Sequence, residues 1–191
     1  MSRALSISAL ALVGSLLATS AIAQEATKNA EPLKPAPSPS QAILAQWNEI
    51  GRKLVAIAED LPEDKYDYKP HLDSRTFVAQ LLHASASMYY FTDVAQGQKA
   101  RYGDDPNRDQ LKTKAQVVAF VKKCVEDGAN LIKTKGDAGM AATIQIPDSK
   151  ERHRLSDLAY DIIEHSGEHY GQLVVYYRIN GLVPPESRPN K

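Results

Sequence analysis

The 191 residues carry 23 Lys plus Arg against 23 Asp plus Glu, leaving no net charge and no basic surplus to neutralise a phosphate backbone. Nucleic acid is therefore not an expected partner. Cys124 is the single cysteine, which excludes an intramolecular disulfide, so the core must be held by packing alone.

The first segment, MSRALSISALALVGSLLATSAIAQ, has the form of a secretory signal. Arg3 supplies the positive charge, Ile7 to Leu17 the apolar stretch, and Ala21-Ile22-Ala23 a small-residue cleavage pattern. Removal after Ala23 is expected, giving a secreted, periplasmic protein. No later stretch approaches the roughly 20 apolar residues that spanning needs, so no membrane span is expected in the mature chain. No cysteine near the cleavage pattern offers a lipid anchor. Residues 24–40, QEATKNAEPLKPAPSPS, are rich in Pro, Ala and polar residues without periodicity, which predicts a disordered tether. Residues 41–191 have the length of one ordinary domain.

Within that domain, four stretches repeat apolar residues at steps of three and four, and none alternates as strands do. The first helix is expected over Pro39–Asp60, with Ile43, Leu44, Trp47, Ile50, Leu54, Ile57 and Ala58 inward, and it is stopped by Leu61-Pro62. The second is expected over Ser74–Ala95, capped by Asp73 or Ser74 and stopped at Gly97. A third follows over Lys114–Thr134, capped by Thr113 and closed by Gly136. Cys124 falls on its apolar stripe with Val117, Phe120 and Val121, which reads as a small core residue rather than a nucleophile. ATIQIP, residues 142–147, forms either a short strand or a cover for one end. The fourth helix spans Leu155–Asn180, ended by Asn180-Gly181 and then Pro184-Pro185. The fold expected is all-α, a four-helix bundle. The connections exceed what an up-and-down bundle uses, so at least one should be a crossover.

The chemistry concentrates on histidines. On the fourth helix, Leu155, Leu158, Ile162, His165, His169, Gln172, Tyr176 and Ile179 alternate in steps of three and four, which sets both histidines on a buried seam. One turn apart, about 40° and 6 Å by helix geometry, the two rings can converge on one ion. Burying two neutral imidazoles without partners is costly. His83, amid Leu81, Leu82, Ala84 and Ala86 on the second helix, would complete a three-nitrogen set. Three neutral nitrogens suit Zn, Ni, Fe or Mn without choosing among them. The 100° rule turns Gln172 and Tyr176 toward this site and sets Glu168 about 80° to one side, where it could support a ligand ring or transfer a proton. Ser87 and Tyr90 share the face of His83 and are candidate pocket residues.

His165-Ser166-Gly167-Glu168-His169 also spells the inverted zinc-protease pattern H-x-x-E-H. That class takes its third ligand from a downstream carboxylate. Beyond His169 the only such side chain is Glu186, in a Pro-rich tail, which argues against a protease.

Trp47-x-x-Ile50, LPEDKYDYKP over residues 61–70, FVAQLLHASASMYY around His83, and HSGEHYGQLVVYYRINGLVPPESR over residues 165–188 together resemble the DinB-like (DinB/YfiT) superfamily of metal-dependent proteins. The resemblance implies a four-helix bundle whose second and fourth helices give a divalent metal three histidines, matched here by His83, His165 and His169. It also implies frequent homodimers, and relatives that act as thiol-dependent transferases and isomerases. A secretion signal sets this chain apart from that cytosolic thiol chemistry. The function expected is a secreted metal-dependent hydrolase or transferase acting on a small-molecule substrate, with Glu168 and Tyr176 as candidate catalytic residues. The alternative is a non-catalytic periplasmic metal- or ligand-binding module.

Overall fold

A computed structural model describes residues 33–103, 105–147 and 149–189. The signal-like segment and most of the expected tether, residues 1–32, lie outside the described residues.

Helix α1 spans Pro39–Asp60, begun by a capping box of Ser38 with Gln41 and a proline in its first turn. Ile43, Trp47, Ile50, Leu54 and Ile57 form its buried stripe, at the spacing the sequence predicts. Helix α2 spans Phe77–Val94, three residues shorter at its start than expected. Thr76 is its cap, accepting from the Ala79 amide at 3.2 Å, rather than Asp73 or Ser74. The preceding loop takes the first free amides instead: Phe77 N–H donates to the Tyr68 carbonyl and Val78 N–H to that of Tyr66, each at 2.9 Å. Of its 18 residues 14 are buried, the largest share of any of the four long helices.

Helix α3 spans Lys114–Ala141, capped by Thr113 with Gln116 as expected. It does not end at Gly136. That residue adopts φ 56° and ψ −171°, open in practice only to glycine, and the helix resumes beyond it. The break turns the Asp137 carboxylate onto the start of α1, where it accepts from Ser40 N–H at 2.8 Å and Ser38 Oγ at 2.9 Å. ATIQIP, read as a strand or a cover, supplies β1, Thr143–Gln145, which pairs antiparallel with a strand not anticipated, β2, Arg152–Arg154. Helix α4 spans Leu155–Ile179.

The four helices form the expected bundle, but in an order that chain sequence does not follow. Helices α1 and α2 each pack chiefly against α3 and α4 and scarcely meet each other, and α3 and α4 likewise touch little. The α1–α2 and α3–α4 links therefore cross diagonals of the bundle, which explains their length. The consequence for function is that α2 and α4 are side-by-side neighbours.

Trp47 fills the centre between α1, α2 and α3. Its ring lies 5.0 Å from that of Phe91, and its Nε1–H donates to the Val125 carbonyl at 2.9 Å. Gly128 lets this ring sit against α3, since a Cβ there would fall 1.9 Å from Trp47 Cζ2. Cys124 is fully buried in the same layer, and that burial pushes its thiol well above the ordinary range, so it is inert. The C-terminal tail is tied to α1 by Arg52 with Glu186 and by Arg188 with Asp60. Among the described residues no helix is long and apolar enough to cross a membrane.

Candidate metal centre

Neighbouring α2 and α4 bring His83, His165 and His169 together. One nitrogen from each ring lies within 4.8 Å of the other two, and the ring centres are 4.3 to 5.1 Å apart. Among the described residues this is the only group of three His, Cys, Asp or Glu side chains so arranged. His169 is buried, 8% exposed, while His83 and His165 are half-buried.

The buried seam of α4 runs slightly differently from the heptad frame. Leu155, Leu158, Ile162, Ser166, His169, Leu173 and Tyr177 are buried, whereas His165 is half-buried and Gln172 and Ile179 are exposed. An undistorted helix drifts about 20° per heptad, so a strict seven-residue frame leaves the core by the last turns. The histidines thus stand at the edge of the core, with one side toward solvent. Tyr177, behind them, turns into the core and donates to the Ile57 carbonyl at 2.9 Å.

The donor set fits a divalent ion. Burial, followed by the field of neighbouring imidazoles, holds His169 down to about 4 and also lowers His165, so both rings are neutral and offer lone pairs at pH 7. Two outer contacts orient the rings. His83 Nδ1–H donates to Asp105 Oδ2 at 2.8 Å, which leaves Nε2 as its ligand atom. On the other side the Gln80 amide meets His169 Nδ1, and Gln80 and Gln172 are joined at 2.5 Å. Here tautomer and amide orientation are linked. With Gln80 Nε2 toward Nδ1 the ring proton sits on His169 Nε2. With both amides turned over, Gln80 Oε1 accepts from Nδ1–H and from Gln172 Nε2–H, and His169 Nε2 is free. The second arrangement is the one competent to hold metal.

Other expected residues take varied positions. Gln172 lines a cleft beside the triad together with Gln80, Arg75 and Tyr176. The Tyr176 hydroxyl donates to the Arg75 carbonyl at 2.7 Å, so it holds that loop in place. Glu168 is exposed, and its charge opposes the lowering of His165. Ser87 Oγ donates to its own helix at Ala84, and half-buried Tyr90 packs on the core; neither lines the cleft. The reason is direction. Ser87 and Tyr90 lie C-terminal to His83, whereas the cleft opens toward Gln80, on the N-terminal side. Glu186, the third ligand a protease would need, is bound by Arg52 of α1 at 2.6 and 2.7 Å.

Gln80, Asp105 and Arg75 join the site without a signal that sequence reasoning picked out. Gln80 is within reach of the helical rule, three residues before His83 on the same face. Asp105 sits in an aperiodic loop with no such signal, and Arg75 in turns that imitate a helix start.

A family model described as the DinB superfamily matches residues 46–173. The chain belongs to the DinB superfamily. A DinB-like protein from Bacillus cereus superposes with a TM-score of 0.63 at 13% identity, covering 76% of this chain and 95% of that one. The DinB-like YjoA from Bacillus subtilis gives 0.60 at 19% identity, covering 73% and 92%. YfiT from Bacillus subtilis, described as a probable metal-dependent hydrolase with an unusual four-helix bundle topology, gives 0.59 at 17%, covering 80% and 94%. No curated protein matches the chain. This DinB member shares the bundle fold with all three.

Proposed function

We propose that this DinB-superfamily chain is a secreted, periplasmic hydrolase that uses a divalent metal ion held by His83, His165 and His169. The observation that carries the reading is a three-imidazole cluster at the core edge, braced from outside by Asp105 and Gln80 and facing solvent on one side. Three protein ligands with an open face are what catalytic sites present, whereas structural sites are closed by four. A bound ion would supply Lewis acidity, lowering the pKa of water or polarising a carbonyl. Around it, Asp105 and Gln80 hold His83 and His169 in the ligating tautomer. Glu168, exposed and close enough for its charge to act on His165, is our candidate to take a proton from an attacking water and return it to a leaving group. YfiT's description as a probable metal-dependent hydrolase supports the same class. Hydrolysis suits an exported protein better than thiol transfer, since it needs only water as co-substrate.

The open face is testable by cobalt substitution. The Co(II)-loaded protein is expected to show visible bands that shift on addition of azide, as an exogenous anion enters a free position. Bands insensitive to azide would mean a closed, structural site and would refute the hydrolase reading.

A further inference from the structure

The cleft beside the triad has a volume of about 490 Å³, and its walls are not neutral. Gln80 and Gln172 form the end nearest the metal ligands. Each lies three residues from a histidine on its own helix, an axial distance of about 4.5 Å. Arg75 lines the same cleft, exposed, and no carboxylate among the described residues pairs with its guanidinium. Asp73, also on the wall, is exposed; its backbone N–H donates to His71 Nδ1 at 3.2 Å, and its carboxylate makes no bond to Arg75. Tyr176 and Val175, the latter 50% exposed, give the cleft an apolar side. The Tyr176 hydroxyl holds the Arg75 backbone carbonyl, which sets where the Arg75 side chain leaves the loop.

An unpaired guanidinium, an apolar wall and two amides leading to a metal site describe a receptor with polarity. We propose that this cleft binds the carboxylate end of a small acyl substrate, an ester or amide whose other end reaches the histidine triad. The assignment of a reacting end rests on the hydrolase reading above; that of the carboxylate rests on Arg75 alone. A guanidinium takes a carboxylate through two parallel N–H donors. A single cation, with the Asp73 carboxylate on the same wall, fits one negative charge better than the two of a phosphate monoester.

The test is calorimetric titration of the mature chain, zinc-loaded and metal-free, with 4-phenylbutyrate and the uncharged 4-phenylbutyramide. Both metal states are expected to bind the carboxylate. Arg75→Gln should weaken that binding about tenfold or more, as loss of a charge-assisted hydrogen bond does. Arg75→Lys should recover part of it, and the weaker binding of the amide should not change. Equal affinity in wild type and Arg75→Gln, or no binding of the carboxylate by the wild type, would overturn the proposal. So would binding abolished by metal removal, since the carboxylate would then be a metal ligand. The metal-free arm stands whether or not the cobalt site proves open, so the two readings fail separately.

Discussion

At His83 a single hydrogen bond decides which nitrogen faces the other two rings. Asp105 accepts from Nδ1–H at 2.8 Å and so fixes both the tautomer and the orientation of the ring. Asp105→Ala should therefore weaken metal affinity about 10- to 100-fold while leaving the stoichiometry intact at high metal, measured by competition with a chromogenic chelator. Unchanged affinity would show that His83 is oriented by its helix alone. The residues of the triad were legible in the sequence because helical spacing converts directly into angle and rise. Asp105 was not, because a loop has no period from which a direction can be computed. The amide pair of Gln80 and Gln172 is intermediate: helical spacing locates both side chains, but only tertiary packing brings them together across two helices.

At the scale of the elements, the close approach of α1 and α3 depends on glycine. A Cβ at Gly128 would lie 1.9 Å from Trp47 Cζ2, with no room for a ring whose Nε1–H is committed to Val125. Gly171, exposed in α4, has open space where a Cβ would stand, with no neighbouring atom within 4 Å. Gly128→Ala should lower unfolding free energy by about 1–3 kcal/mol, the overpacking cost exceeding the helix-propensity gain. Gly171→Ala should raise it by about 0.5–1 kcal/mol from propensity alone. Urea unfolding of the two variants checks both signs, and stabilisation by both would contradict the packing described. Helix existence was readable from apolar spacing, but two boundaries were not. Asp73, Ser74 and Thr76 all carry capping side chains, yet the true cap was fixed by which loop carbonyls reach the first amides of α2. Gly136 carries the usual signal of a helix end, yet α3 resumes because Asp137 gains the start of α1 as a partner.

For the whole molecule, the decisive feature is the order of helices around the bundle. In a simple up-and-down bundle α2 would be flanked by α1 and α3, and α4 would stand across the diagonal from it. The two diagonal links make α2 and α4 neighbours, and only then can His83 meet His165 and His169. Long connections in the sequence pointed to a crossover, but lengths alone did not say which pairs it would separate. The metal content of the purified chain, against that of the single alanine variants of His83, His165 and His169, tests this account most directly. The account predicts about one divalent ion per wild-type chain, as a single three-ligand site allows, and its loss in each variant. A wild-type chain that purifies without stoichiometric metal, or one that keeps it when His169 is replaced, would contradict it.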